Sequence, residues 1–179
     1  MSRSKSSSLV LGGVTLFLAA VLLFTGCSRT PLTADEPTVD QPQVLTRSAA
    51  FAASLVPGQL YTEAVVSSAD GGRLVLYDVL LEVPPGAVAN DTLFSINIPD
   101  VNSFYNEFGT SGLVFDVPVK VTMSYRGADL SNINESTIRI GYYDEATGEW
   151  DDLVCEVDFV NKLVTAELSH FSAYGLISD

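Results

Sequence analysis

The chain predicts an all-β protein: an antiparallel β-sandwich of about seven to nine strands, preceded by a signal segment and a flexible tether. Three observations predict it. Apolar residues alternate with polar ones from about residue 61 onward, Gly- and Pro-rich turn chemistry separates the alternating runs, and no long amphipathic helical pattern accompanies them.

Taken in order, the first element is an export signal. Arg3 and Lys5 form a short basic region, and residues 9–24 are a nearly unbroken apolar run. As a helix that run spans about 24 Å, less than the roughly 30 Å hydrocarbon layer, which disfavours a membrane-spanning helix. Next comes "LLFTGC", residues 22–27, which resembles the bacterial lipoprotein signal, with Phe24 where Leu is usual. The resemblance implies cleavage after Gly26 and diacylation of Cys27. A thiolate is the natural acceptor for such chemistry, and two or more acyl chains hold a protein on a bilayer where one binds marginally. Ser28, rather than Asp, follows the cysteine. By the same resemblance this implies an outer-membrane lipoprotein in a diderm cell, or the outer face of the plasma membrane in a monoderm.

Residues 27–58 read as the acylated cysteine and its tether. Pro31, Pro37, Pro42 and Pro57 are spread among Thr, Asp and Gln with no sustained period. Within this segment "VLTRSAAFAASLV", residues 44–56, has the composition of a short helix but no clean apolar stripe, so a plain linker is the preferred reading.

The sandwich is expected over residues 59–179. "VPVKVTMSY" places Val117, Val119, Val121, Met123 and Tyr125 on one face. In the same way "LFSINI" turns Phe94, Ile96 and Ile98 inward, and "TIRIGYYD" turns Ile138, Ile140 and Tyr142 inward. Turns are expected at Asp70-Gly71-Gly72, Pro84-Pro85-Gly86, Thr147-Gly148 and Val160-Asn161-Lys162. At 47% hydrophobic residues, the composition suffices for one ordinary core.

Charge narrows the partners. The net charge is −13, and removing the first 26 residues, which carry Arg3 and Lys5 and no acid, leaves −15. Nucleic acid is excluded as a partner, as is electrostatic attachment to an anionic bilayer, because both require basic patches.

The joint order of "GGRLVLYDVLLEVPPGAV", "FGTSGLVFDVPVKVTMSY", "IGYYDEATGEWDDL" and "LVTAELSHFSAYGL" is similar to the ZU-five module of ankyrins, netrin receptors and many bacterial surface proteins, over residues 71–177. The resemblance implies a β-sandwich that makes protein contacts or serves as a structural module. It transfers no ligand. The expected partners are the membrane, through acyl chains on Cys27, and an envelope or extracellular protein; no cofactor is called for.

Few residues offer chemistry. "DEATGEWDD" gathers Asp144, Glu145, Glu149, Asp151 and Asp152, the ligand type calcium prefers, but its spacing is not that of an EF-hand loop and a β-hairpin explains it. Trp150 reads as a cross-strand packing residue, since no second aromatic stands in a matching position for a sugar platform. Cys155 shares strand parity with Leu153 and Val157 and reads as a small buried hydrophobe. One histidine and one thiol beyond Cys27 do not make a zinc site, and no "GxSxG" elbow marks a hydrolase.

His170, Phe171 and Ser172 remain. The same His-Phe-Ser order is the self-cleavage point of some ZU-five domains and of unrelated proteins. By that resemblance Ser172 would attack the Phe171 carbonyl, with His170 as base. In a regular strand, residues two apart lie about 6.6 Å from one another, so this chemistry needs a kink. The preferred reading is structural: unbroken alternation puts Val164, Ala166, Leu168, His170, Ser172, Tyr174 and Leu176 on the core face, with His170 and Ser172 as buried, hydrogen-bonded polar groups.

Overall fold

The computed structural model describes residues 41–179; the signal run, Cys27 and the tether up to residue 40 lie outside the described residues. Among the described residues twelve strands form two antiparallel sheets beside one short α-helix, so the sandwich class holds with more strands than expected. In chain order these are β1 (Gln43–Val44), α1 (Ala49–Ser54), β2 (Tyr61–Val66), β3 (Gly72–Leu76), β4 (Val79–Val83), β5 (Thr92–Asn97) and β6 (Tyr105–Gly109). There follow β7 (Val114–Ser124), β8 (Arg139–Asp144), β9 (Glu149–Asp152), β10 (Cys155–Asp158), β11 (Leu163–His170) and β12 (Ala173–Ser178). The surplus includes pieces such as β1, of two residues, and β10, of four, too short to show a period of their own.

One sheet runs β2-β5-β6-β12-β8-β9, with β1 also paired to β12; the other runs β10-β11-β7-β4-β3. The alternating runs supply the core between them. Phe94, Ile96, Ile98, Ile138, Ile140, Val119, Val121, Met123 and Tyr125 are all buried there, and Tyr142 packs against it half-buried. Positive backbone φ at Gly71, Gly86, Gly148 and Lys162 falls in the four expected turns.

Val117 corrects the simple alternation, being 40% exposed. Register explains it. Val119 pairs with Leu168 and Val114 with His170, so four residues of β7 span the distance that Ser169 alone spans on β11. Pro118, which has no amide to give the ladder, sits in this bulge, and Phe115 rather than Val117 turns into the core.

The tether expectation is corrected over residues 43–56. β1 pairs with β12, Leu45 is buried, and Ser48 caps α1 by accepting from the Phe51 amide at 3.3 Å. Arg47 fixes the segment. Its guanidinium donates to both carboxylate oxygens of Asp78 at 3.0–3.2 Å and to the carbonyls of Asp100 and Ser103, and it lies 4.6 Å over the Phe104 ring. Both partners of this pair are almost wholly buried, so its geometry has to be well satisfied. Burial pushes the Asp78 carboxyl up, against the pull of Arg47.

Candidate functional site

The His-Phe-Ser segment lies where the chain leaves one sheet for the other: β11 ends at His170 and β12 begins at Ala173. This crossing breaks the alternation. Phe171 turns into the core, where Phe94 and Phe115 meet it edge-on at 4.8 Å, while His170 and Ser172 are half-buried rather than enclosed. The core-face expectation for His170 and Ser172 is corrected accordingly. A side chain as large as Phe gains more from the core than either polar neighbour, and the sheet change supplies the rotation.

His170 is held by its neighbours on β12 and β8. Its Nδ1 lies 3.4 Å from the Tyr174 hydroxyl, which donates to the His170 carbonyl at 2.8 Å, and the Tyr142 ring packs edge-on at 5.0 Å. Burial holds the Tyr174 hydroxyl far above its ordinary range, so it acts as a hydrogen-bond donor. Around the crossing peptide, the Phe171 carbonyl accepts from the Gly112 amide at 3.3 Å and the Ser172 carbonyl from the Phe108 amide at 2.9 Å. The chain bends here and the Phe171 carbonyl has a donor, while among the described residues the imidazole Nδ1 faces the Tyr174 hydroxyl and makes no hydrogen bond to the Ser172 hydroxyl.

Cys155 is half-buried at the start of β10. Its sulfur accepts from the Ile140 amide at 3.3 Å, and burial pushes the thiol up, which opposes thiolate formation. The acidic cluster is a β8–β9 hairpin, as the turn chemistry implies. Register divides its carboxylates: Asp144, Glu149 and Asp151 alternate with Trp150 and Asp152, and Asp152 is taken by Arg139 at 2.6 Å. Asp144 accepts from the Ala146 amide within the turn, and Glu145 is exposed at the tip. Among the described residues, no group of three or more His, Cys, Asp or Glu side chains converges on a metal-sized point.

Trp150 does pack across strands, opposite Tyr143. Sequence reasoning missed Tyr105, which reaches the same spot from β6 at 6.1 Å. Its only sequence signal is the short run "FYNEF", and the neighbour relation arises from strand pairing with β12, about 70 residues away in the chain.

Compared with known proteins, the chain matches no family model and no curated protein.

Proposed function

We propose that this protein is a lipid-anchored, extracytoplasmic binding or structural module that makes protein contacts at the cell envelope, without conventional enzymatic activity. The observation that carries the contact reading is β10. It is an edge strand with one side unpaired, and exposed apolar residues flank it: Val154, 96% exposed, before it, and Phe159 and Val160 after it. Unpaired backbone beside exposed apolar side chains is what strand addition by a protein partner uses. The anchor rests on "TGC" after the apolar run. Covalent reach alone keeps β1 within about 55 Å of a bilayer holding Cys27.

Cys27→Ala is expected to leave the precursor unprocessed and to move it out of the detergent phase on partitioning, with N-terminal mass spectrometry finding acylated Cys27 in the parent. An unmodified Cys27 in a chain matured elsewhere would refute the anchor. On the contact side, protein captured from native membranes by the anchored parent should be lost with Val160→Asp; capture indifferent to that change would remove β10 as the contact edge.

A second reading, self-processing between Phe171 and Ser172, is favoured by the kinked crossing and by the Gly112 amide on the Phe171 carbonyl. Denaturing mass spectrometry separates the two readings. One chain continuous through Phe171-Ser172 is the expected result. A peptide beginning at Ser172, abolished by Ser172→Ala, would establish self-processing; denaturation is needed because a cut β12 would stay paired in its sheet.

A further inference from the structure

The outward face of the seven-stranded sheet carries a second apolar layer, separate from the core. Pairing across β9, β8, β12 and β6 places Asp152, Gly141, Gly175 and Tyr105 in one row and Trp150, Tyr143, Ala173 and Glu107 in the next. Glycine is required where the indole crosses. A Cβ on Gly141 would lie 3.0 Å from Trp150 Cε3, and one on Gly175 would lie 3.0 Å from Trp150 Cη2. The two glycines thus form a trough that lets the indole lie close to the backbone of β8 and β12. Tyr105 and Tyr143 border it, with ring centroids 5.1 to 6.2 Å apart among the three, and each ring is half-buried.

Beyond Glu107 the second row continues to Asn97 on β5 and Tyr61 on β2. The Asn97 side-chain amide donates to the Glu107 carboxylate at 2.8 Å, which fixes both planes, and Tyr61 is exposed at the far end. From Tyr143 to Tyr61 the row spans four strand spacings, about 19 Å.

We propose that this face binds a neutral saccharide chain, with a pyranose ring stacking on one ring of the Trp150–Tyr105–Tyr143 cluster, whose planes are inclined 53° to 85° to one another, and hydroxyls hydrogen-bonding to Glu107 and Asn97. A sugar ring has an apolar C–H face and a rim of groups that both donate and accept. A single exposed ring face of the cluster matches the first; a carboxylate that accepts beside an amide that does both matches the second. The fixed Asn97–Glu107 pair reduces the ordering cost of binding. Charge selects among sugars: Glu107 and Glu145 lie near Tyr105, and Arg139, the cation on this face, is engaged by Asp152 and Asp179, so an anionic polysaccharide is repelled. The rings touch one another, leaving no space between them for an ammonium group, so they do not form a cation cage.

Trp150 is the single tryptophan of the chain, so its fluorescence reports on this site alone. The full chain, in a zwitterionic detergent that carries no sugar, would be titrated with the β-1,4-linked tetrasaccharides of glucose and of N-acetylglucosamine, with calorimetry in parallel. A saturable change in emission is expected with at least one of them. Glu107→Gln and Tyr105→Leu should each weaken it by roughly tenfold, the equivalent of one lost contact, with unchanged urea midpoints. Silence by both methods at millimolar sugar would overturn the proposal and leave the platform as a cover for Ile177 and Ala173. Binding unaffected by either substitution, or stronger for polygalacturonate, would overturn it equally.

Discussion

Val121→Asp is expected to abolish the cooperative urea transition of the domain or to move its midpoint far down. Val121 lies on β7, the middle strand of the five-stranded sheet, fully buried between Ala166 of β11 and Leu81 of β4. A carboxylate there would be enclosed in the hydrophobic core. Leaving a charge buried and uncompensated costs on the order of 3–5 kcal/mol, a large share of the roughly 5–15 kcal/mol that holds a domain together. Val117→Asp is the matched control, four residues away on the same nominal face. Because the β7 bulge turns Val117 to solvent, its midpoint should stay close to that of the parent, as surface substitutions usually do. Equal losses at the two positions would mean that the bulge is misplaced.

The second large effect is expected at Arg47. Replacing it by Met leaves the Asp78 carboxylate enclosed without its partner, and the loss should be about 3–5 kcal/mol at neutral pH. Arg47→Met combined with Asp78→Leu should recover part of that loss. Recovery stays partial because the Asp100 and Ser103 carbonyls also lose their donor. The pH dependence has a definite sign. Burial raises the Asp78 carboxyl above its unfolded value, so its ionisation opposes folding, and this penalty grows as pH rises from the unfolded to the folded carboxyl range and then levels off. Removing Arg47 enlarges the penalty. The gap in urea stability between parent and Arg47→Met should therefore narrow in acid and widen towards neutrality; a gap independent of pH would show that Arg47 acts through its packing on Phe104 and its bonds to the Asp100 and Ser103 carbonyls rather than through Asp78.

These two sites also mark what was legible in the sequence. Val119, Val121 and Met123 announce their face because a half-buried strand writes its environment with period two, and the turns announce themselves through Gly and Pro. Arg47 gave no such signal. It sits in a stretch of linker composition, and its burial depends on Asp78, 31 residues on, and on a two-residue strand that has no room to show a pattern. Phe171 misled for a related reason: alternation extends naturally across a sheet change, so reading it onward exchanged the buried Phe for His170 and Ser172. The cluster around Trp150 was illegible because Gly141, Gly175 and Tyr105 become neighbours only through register, which local sequence does not carry.

β12 has a consequence for how the molecule comes into being. It lies inside the seven-stranded sheet, with β8 along one edge and β6 and β1 sharing the other, so it joins residues made early to residues made late. Until synthesis has passed Ser178, β6 and β8 have no common partner, and the sheet exists only as two fragments with open edges. Such edges pair readily with other chains, and closing long loops late slows folding. A nascent chain of this protein thus keeps those edges open until its last strand is made, longer than a fold built from consecutive hairpins would.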